Sequence, residues 1–265
     1  MRGDLGRIRA AIAPSAPAGP NGEYLAFDTF ADWGIQAIVT TRRAGSFASA
    51  GDAPIGDVLA RWSALQQFAA GGEMGRLATA RQVHGAELLE HGGTWRGWLR
   101  GPAADGHVAL ARGTTLAVTV ADCVPVYVAH PSGAIALLHS GWRGTVAGIL
   151  RSAIRRLASA GHAPAELRVL TGPAICGACY EVSPDVYRQL TRTDVDRPAT
   201  VALDVVIGQQ ARDAGVRDVY TSDLCTRCDN DRLFSHRAGD PGRQLGVFSA
   251  VSSAVPERVA VASCH

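Results

Sequence analysis

Lysine is missing from this chain: its 26 basic residues are all arginine. Schiff-base chemistry on an amine side chain is thereby excluded, and any phosphate must be held by guanidinium or backbone N–H groups. A strong charge of one sign is missing too. The net charge of +2, with the arginines dispersed, argues against a nucleic-acid groove, so no nucleic-acid partner is expected. No segment approaches a membrane span, and Arg2, Arg7 and Arg9 precede only the short stretch 10–13, well below a secretory h-region. The expectation is a cytoplasmic protein with no membrane partner. In a reduced compartment, six cysteines point to metal binding or catalysis before disulfides.

No internal repeat is visible, and no linker divides the chain after the stretch 13–22. With 265 residues and 47% hydrophobic content, one large core is within reach. Residues 1–23 are expected to form a flexible lead-in and 24–265 a single domain. No long heptad is present, so a monomer is expected.

Hydrophobic patterning places a strand at 35–40, a helix at 58–70 and a β-branched strand at 115–120 that ends at the turn Asp122-Cys123-Val124-Pro125. Extended structure resumes at 124–129, turns at Pro131-Ser132-Gly133 and returns at 134–139. Such a hairpin brings Cys123 and His139 together. After a turn at 141–144, Val146, Ile149, Leu150, Ile154 and Leu157 recur at helical spacing with Arg151, Arg155 and Arg156 opposite, and Gly161 ends the helix.

Three motifs carry the chemistry: Gln82-Val83-His84-Gly85, Ala121-Asp122-Cys123-Val124-Pro125 and His139-Ser140-Gly141-Trp142-Arg143-Gly144. Together His84, Cys123 and His139 offer two imidazoles and a thiolate, a ligand set suited to catalytic zinc with one position left for water. The gaps of 38 and 15 residues between them exclude a zinc-finger knuckle and suit ligands drawn from separate elements. Gly141 and Gly144 permit close backbone approach, and Arg143 adds a planar cation, so this turn is a candidate anion cradle; strand, glycine-rich turn and helix is also ordinary connection chemistry. Asp122, next to Cys123, is the leading candidate for proton transfer, although an Asp there also suits a role in orienting ligands or capping a turn.

Two further pairs, Cys176-x-x-Cys179 and Cys225-x-x-Cys228, have the spacing of a four-thiolate zinc site. Buried thiols or a redox-sensitive pair are the competing reading. Tyr180 and Glu181 precede Ser183-Pro184-Asp185, a good helix start, and either line a pocket or pack the helix entry. His236 and Arg237 read as strand residues.

The three motifs are similar to the signature of the YfiH/laccase-domain family, and further matches run in family order: Gly172-Pro173-Ala174-Ile175, Tyr180-Glu181-Val182, Cys225-Thr226-Arg227-Cys228, Phe234-Ser235-His236-Arg237 and Gly242-Arg243. They cover about residue 35 to 250. The resemblance implies an α+β fold, a single-domain four-layer α/β/β/α sandwich. It implies one zinc, held by His84, Cys123 and His139, and action on purine nucleosides: phosphorolysis of adenosine, inosine, guanosine and 5'-methylthioadenosine, and deamination of adenosine. For phosphate the candidates are Arg143 with Gly141, at the glycine-rich turn, and Arg42, because Thr41-Arg42 resembles the start of the family's Thr-Arg-x-Gly-Gly-Val-Ser stretch. The chain departs there, reading Arg43-Ala44-Gly45-Ser46-Phe47, and also over 49–57. Asp105-Gly106-His107-Val108 replaces an Ala-Asp-Ala-Leu pattern, leaving Asp105 as a site-lining group and His107 unassigned.

Three rivals stand beside this reading. The older family label, polyphenol oxidase or laccase, needs many grouped imidazoles, whereas the eight histidines here include no H-x-H pair; copper remains an alternative occupant of the zinc site. A metal-independent cysteine hydrolase or amidase, on a cell-wall precursor for example, would use Cys123 as nucleophile and His139 as base, without needing His84. A zinc-stabilised binding module would show a closed metal site and no turnover.

Overall fold

A computed structural model describes residues 24–49, 53–69 and 75–250, together with the backbone of 6–8 and 11–12. Among these residues two seven-stranded sheets form, and each is covered on one face by helices. The first runs in the order Gly6–Ile8, Asp218–Ser222, Arg168–Thr171, Val124–Ala129, Ile135–Ser140, Gly106–Ala109, Leu88–Glu90. The second runs Ala11–Ile12, Tyr24–Phe27, Gln36–Thr40, Gln244–Ser249, Thr114–Val120, Arg76–Arg81, Trp98–Ala103.

The layers follow from the two-residue period of a strand. Along Val124–Ala129, Val126 and Val128 pack outward with Leu150, Ile154, Leu157, Ile207 and Ala211 of the helices Ile149–Ser159 and Leu203–Asp213. The intervening Tyr127 and Ala129 face Leu116, Val118 and Phe248 of the other sheet. On the far side Ile38, Leu77, Ala117 and Val247 meet Val58, Trp62 and Leu65 of the helix Ile55–Ala69. This is the α/β/β/α sandwich that the resemblance implies. Tyr127 is fully buried and its hydroxyl donates to the Ile38 carbonyl at 2.8 Å, so one side chain fills the inter-sheet layer and satisfies its polar tip across it.

The strands expected at 35–40, 115–120, 124–129 and 134–139 are all present within one residue at each end. Two expectations are corrected. The helix expected after a turn at 141–144 begins at Trp142, breaks after Ala147 and resumes over Ile149–Ser159. The break is Gly148, at φ 78° in the left-handed region that glycine enters without steric cost. His236 and Arg237 lie in a turn rather than a strand, where the Ala238 and Gly239 N–H groups bond back to Ser235 and His236.

Within the expected lead-in, Gly6–Ile8 pairs in parallel with Asp218–Ser222, and Ala11–Ile12 pairs with Tyr24–Phe27; the rest of 1–23 and all of 251–265 lie outside the described residues. No helix among the described residues is long and apolar enough to cross a membrane.

Candidate metal centre

Cys123 sits where the chain passes from one sheet to the other, between Thr114–Val120 and Val124–Ala129. His139 lies near the end of Ile135–Ser140, in register with Pro125, so the hairpin carries it beside Cys123. His84 comes from the loop after Arg76–Arg81 of the second sheet. The three ligand atoms lie within 4.8 Å of one another. Two residues of the site, His84 at φ 60° and Asp122 at φ 78°, take left-handed conformations that L residues rarely adopt. Such strain persists only where neighbouring contacts hold it.

Asp105 supplies those contacts for His84. It is fully buried, and its carboxylate accepts the backbone N–H groups of Val83 (3.1 Å), His84 (2.9 Å) and Gly85 (2.7 Å). The same carboxylate accepts the His139 Nδ1–H at 2.7 Å. One buried anion therefore sets the loop of one ligand and the ring of another, leaving Nε2 of His139 as the ligand atom. Burial pushes the Asp105 carboxyl up, but His139 and the Gly85 and Val83 N–H groups outweigh it and hold it below the usual carboxylate range.

Burial likewise pushes the Cys123 thiol up, yet the imidazoles of His139 and His84 pull it down to about 6. His139, which burial alone would push down, is held up at about 9 by Cys123 and Asp105. A thiolate facing an imidazolium is an arrangement in which a divalent cation displaces a proton.

The site also has room. A Cβ on Gly141 would stand 2.9 Å from Cys123 Sγ and 3.5 Å from His84 Cδ2, so only glycine keeps this side clear. Gly144, inside the short helix Trp142–Ala147, is required for a different reason: a Cβ there would meet the Gly85 carbonyl at 2.9 Å. His139 is buried and His84 exposed, so the triad opens on the His84 side. Two imidazoles, a lowered thiolate and a clear face fit a zinc ion with an open position.

Around this face the structure gathers Tyr180, which has two readings in the sequence, and Arg237, which has no site role there. Burial raises the Tyr180 hydroxyl, as do Cys123 and Asp122, while Arg237 and Arg143 oppose them. The Arg237 guanidinium lies 4.9 Å from the Tyr180 ring centre, and that of Arg143 lies 4.6 Å from Trp142. Among the described residues no hydrogen bond or ion pair holds the Arg143 guanidinium. The signal for Arg237 was its place in the Phe234-Ser235-His236-Arg237 motif.

Asp122 and Arg42 also make structural contacts of their own. Asp122 is buried; Oδ1 accepts the Thr226 hydroxyl at 2.6 Å and Oδ2 accepts the Arg237 N–H at 2.7 Å. It thus ties the loops of Thr226 and Arg237 to the crossover carrying Cys123. Arg42 donates to the carbonyls of Asn230 (2.9 Å) and Leu233 (3.3 Å), pairs with Asp240 at 2.6 Å and stacks on Phe234, so it reaches under the Arg237 loop rather than toward the triad.

Behind the site, His91 Nε2 and His107 Nδ1 share a hydrogen bond of 2.9 Å, and His107 Nε2 is buried without a hydrogen-bond partner among the described residues. Burial, with His91 adding to it, pushes His107 down to about 3, and burial pushes His91 down to about 4. Both rings are neutral at neutral pH. The four paired cysteines form a second cluster, their sulfurs also within 4.8 Å of one another.

The His/Cys/His site, fixed by a buried carboxylate on a sandwich of two sheets, has the mixed nitrogen and sulfur donors that could hold a metal ion. The chain belongs to the family described as multi-copper polyphenol oxidoreductase laccase, whose model matches residues 47–250. A purine nucleoside phosphorylase of Streptomyces coelicolor is 36% identical over 234 residues, 85% of this chain and 95% of its own. A purine nucleoside phosphorylase of Deinococcus radiodurans is 31% identical, over 74% of this chain and 77% of its own. Among solved structures, YlmD from Geobacillus stearothermophilus superimposes with a TM-score of 0.78 at 26% identity, over 91% of this chain and 99% of that one.

Proposed function

We propose that this chain is a zinc-dependent purine nucleoside phosphorylase that also deaminates adenosine, with adenosine, inosine, guanosine and 5'-methylthioadenosine as its substrate class. The observation that carries the reading is the triad of His84, Cys123 and His139, locked by Asp105 and clear on the side of Gly141. Its relatives named purine nucleoside phosphorylase support it.

In phosphorolysis a phosphate oxygen bonds to C1' of the ribose as the bond from C1' to the purine breaks. Positive charge grows on the sugar and negative charge on the departing base, while phosphate must be held beneath C1'. Arg143, two positions from Gly141 and held by no hydrogen bond or ion pair among the described residues, takes the phosphate; Arg237, stacked on Tyr180, borders the same opening. Arg42 acts through the loop it holds. When bound, zinc supplies Lewis acidity and a lowered water pKa at the open position. His139 keeps its ligand nitrogen aimed because Asp105 retains its other proton. Asp122 holds Thr226 and Arg237 in place, one donor on each carboxylate oxygen.

Oxidation of polyphenols by several copper ions suits these residues poorly, because the triad offers only two imidazoles and the other described cluster is all cysteine. A metal-free hydrolase finds support in the Cys123 thiol lowered to about 6 beside His139, but it leaves the Asp105 bonds that fix the His84 loop without a purpose.

The test is adenosine turnover by zinc-replete protein with and without phosphate, separating adenine, inosine and hypoxanthine, with His84→Ala alongside. Adenine release that needs both phosphate and His84 supports the phosphorylase. Amide or ester hydrolysis by metal-stripped protein, undiminished in His84→Ala, assigns the site to the Cys123 hydrolase instead.

A further inference from the structure

We propose that Cys176, Cys179, Cys225 and Cys228 bind a second zinc ion, coordinatively closed and structural, that staples together the two loops walling the catalytic opening. The cysteines stand on segments 49 positions apart. An isolated parallel bridge between Ala174 and Cys225 joins them, and the Thr226 N–H donates to the Ala174 carbonyl at 3.1 Å. All four sulfurs then fall within 4.8 Å of one another, with Cys179 and Cys228 at 3.5 Å. A tetrahedron of thiolates around zinc, with bonds of about 2.3 Å, needs sulfur separations of roughly 3.8 Å.

The backbone is wound as such a site requires. In the first pair the Cys179 and Tyr180 N–H groups both return to the Cys176 carbonyl, at 3.0 and 3.1 Å. In the second, the Cys228 N–H donates to Cys225 Sγ at 3.4 Å, and the Cys176 N–H reaches the same sulfur at 3.3 Å. Two N–H donors on one buried sulfur favour its thiolate. Four thiols converging from two tight turns, with little regular structure around them, have weak cohesion of their own; a divalent cation supplies it.

The staple has a consequence for the neighbouring site. Tyr180 follows Cys179 directly, Thr226 follows Cys225, and Arg237 lies on the loop downstream of Cys228. Asp122 ties both to the Cys123 crossover: its carbonyl accepts the Ile175 N–H and its carboxylate accepts Thr226 and Arg237. Four thiolates leave no open position, so this zinc positions the wall and takes no part in chemistry.

Zinc content per chain is the test, measured on reduced full-length protein, wild type and His84→Ala, together with reaction of the cysteines with a thiol reagent before and after chelation. The expected result is two zinc ions in wild type and one in His84→Ala, with four thiols protected until the metal is stripped. Retention of one zinc in both proteins still supports the thiolate site while removing zinc from the catalytic reading. One zinc in wild type and none in His84→Ala overturns the inference and leaves the catalytic reading intact. Disulfides in the His84→Ala protein, or iron in place of zinc, overturn it as well. Should Cys228→Ser fold poorly, cobalt loaded into His84→Ala gives an independent readout: intense thiolate-to-metal charge transfer with tetrahedral bands is expected, and its absence counts against the site.

Discussion

The two clusters that can hold metal are built in opposite ways. His84, Cys123 and His139 come from three distant segments, each anchored to a sheet, and their geometry is enforced from behind by Asp105. The cysteine cluster draws on two short turns whose members mainly hold one another. The first arrangement is held by Asp105 and leaves a face clear, as an open catalytic site must. The second, closed by the ion proposed for it, would leave nothing open. Long spacing with a buried support, against close pairs with mutual support, separates a site that works from one that holds.

The comparison breaks most severely at Asp105. Asp105→Ala leaves three N–H groups and His139 without their acceptor; removing one partner of a buried charged network costs about 3–5 kcal/mol. Chemical denaturation should show that loss. The milder Asp105→Asn should weaken zinc at the triad roughly 10–100-fold, read by competition with a chelator, while the thiolate site keeps its metal. Equal loss at both sites would contradict their independence.

Gly141→Ala comes next. Its Cβ would meet Cys123 Sγ at 2.9 Å, so triad zinc and nucleoside turnover should fall at least about tenfold, equivalent to about 1.4 kcal/mol, with the melting temperature little changed. Unchanged activity would mean that the clear face lies elsewhere. Arg143→Ala should raise the KM for phosphate about tenfold with a smaller change for nucleoside. A uniform fall in kcat with KM for phosphate intact would remove Arg143 from phosphate binding.

The smallest expected effect is on pH dependence. His107 and His91 are depressed to about 3 and about 4 by burial, below the ordinary histidine value near 6.5. The unfolded chain therefore binds more protons between about pH 6.5 and those values, and the stability they contribute is present above about pH 6.5 and lost as pH falls through the window. His107→Phe should flatten that slope in denaturation curves collected from pH 7 to 4, and an unaltered slope would place the acid sensitivity elsewhere.

Much of this was legible in the residues. Apolar runs on either side of Pro131-Ser132-Gly133 gave the strands 124–129 and 134–139, and with them the meeting of Cys123 and His139. The C-x-x-C spacings announced the second cluster. What escaped had no local signature. Asp105 is expected to line the site, but its role escaped: it acts on backbone N–H groups 20 to 22 positions away, a contact that depends on how two loops cross and not on residue type. Gly148 looked like any helical position because the apolar spacing continues through it. Arg42 stood in a phosphate-like motif, but its guanidinium is aimed by Asp240 and two carbonyls brought in from the far end of the chain.

The most direct test of the account is phosphorus NMR of inorganic phosphate incubated with adenosine and zinc-replete protein. Ribose 1-phosphate appearing in step with adenine, and absent with His84→Ala, is the predicted result. Phosphate that stays unchanged while adenosine is consumed or left intact would contradict the assignment as a phosphorylase.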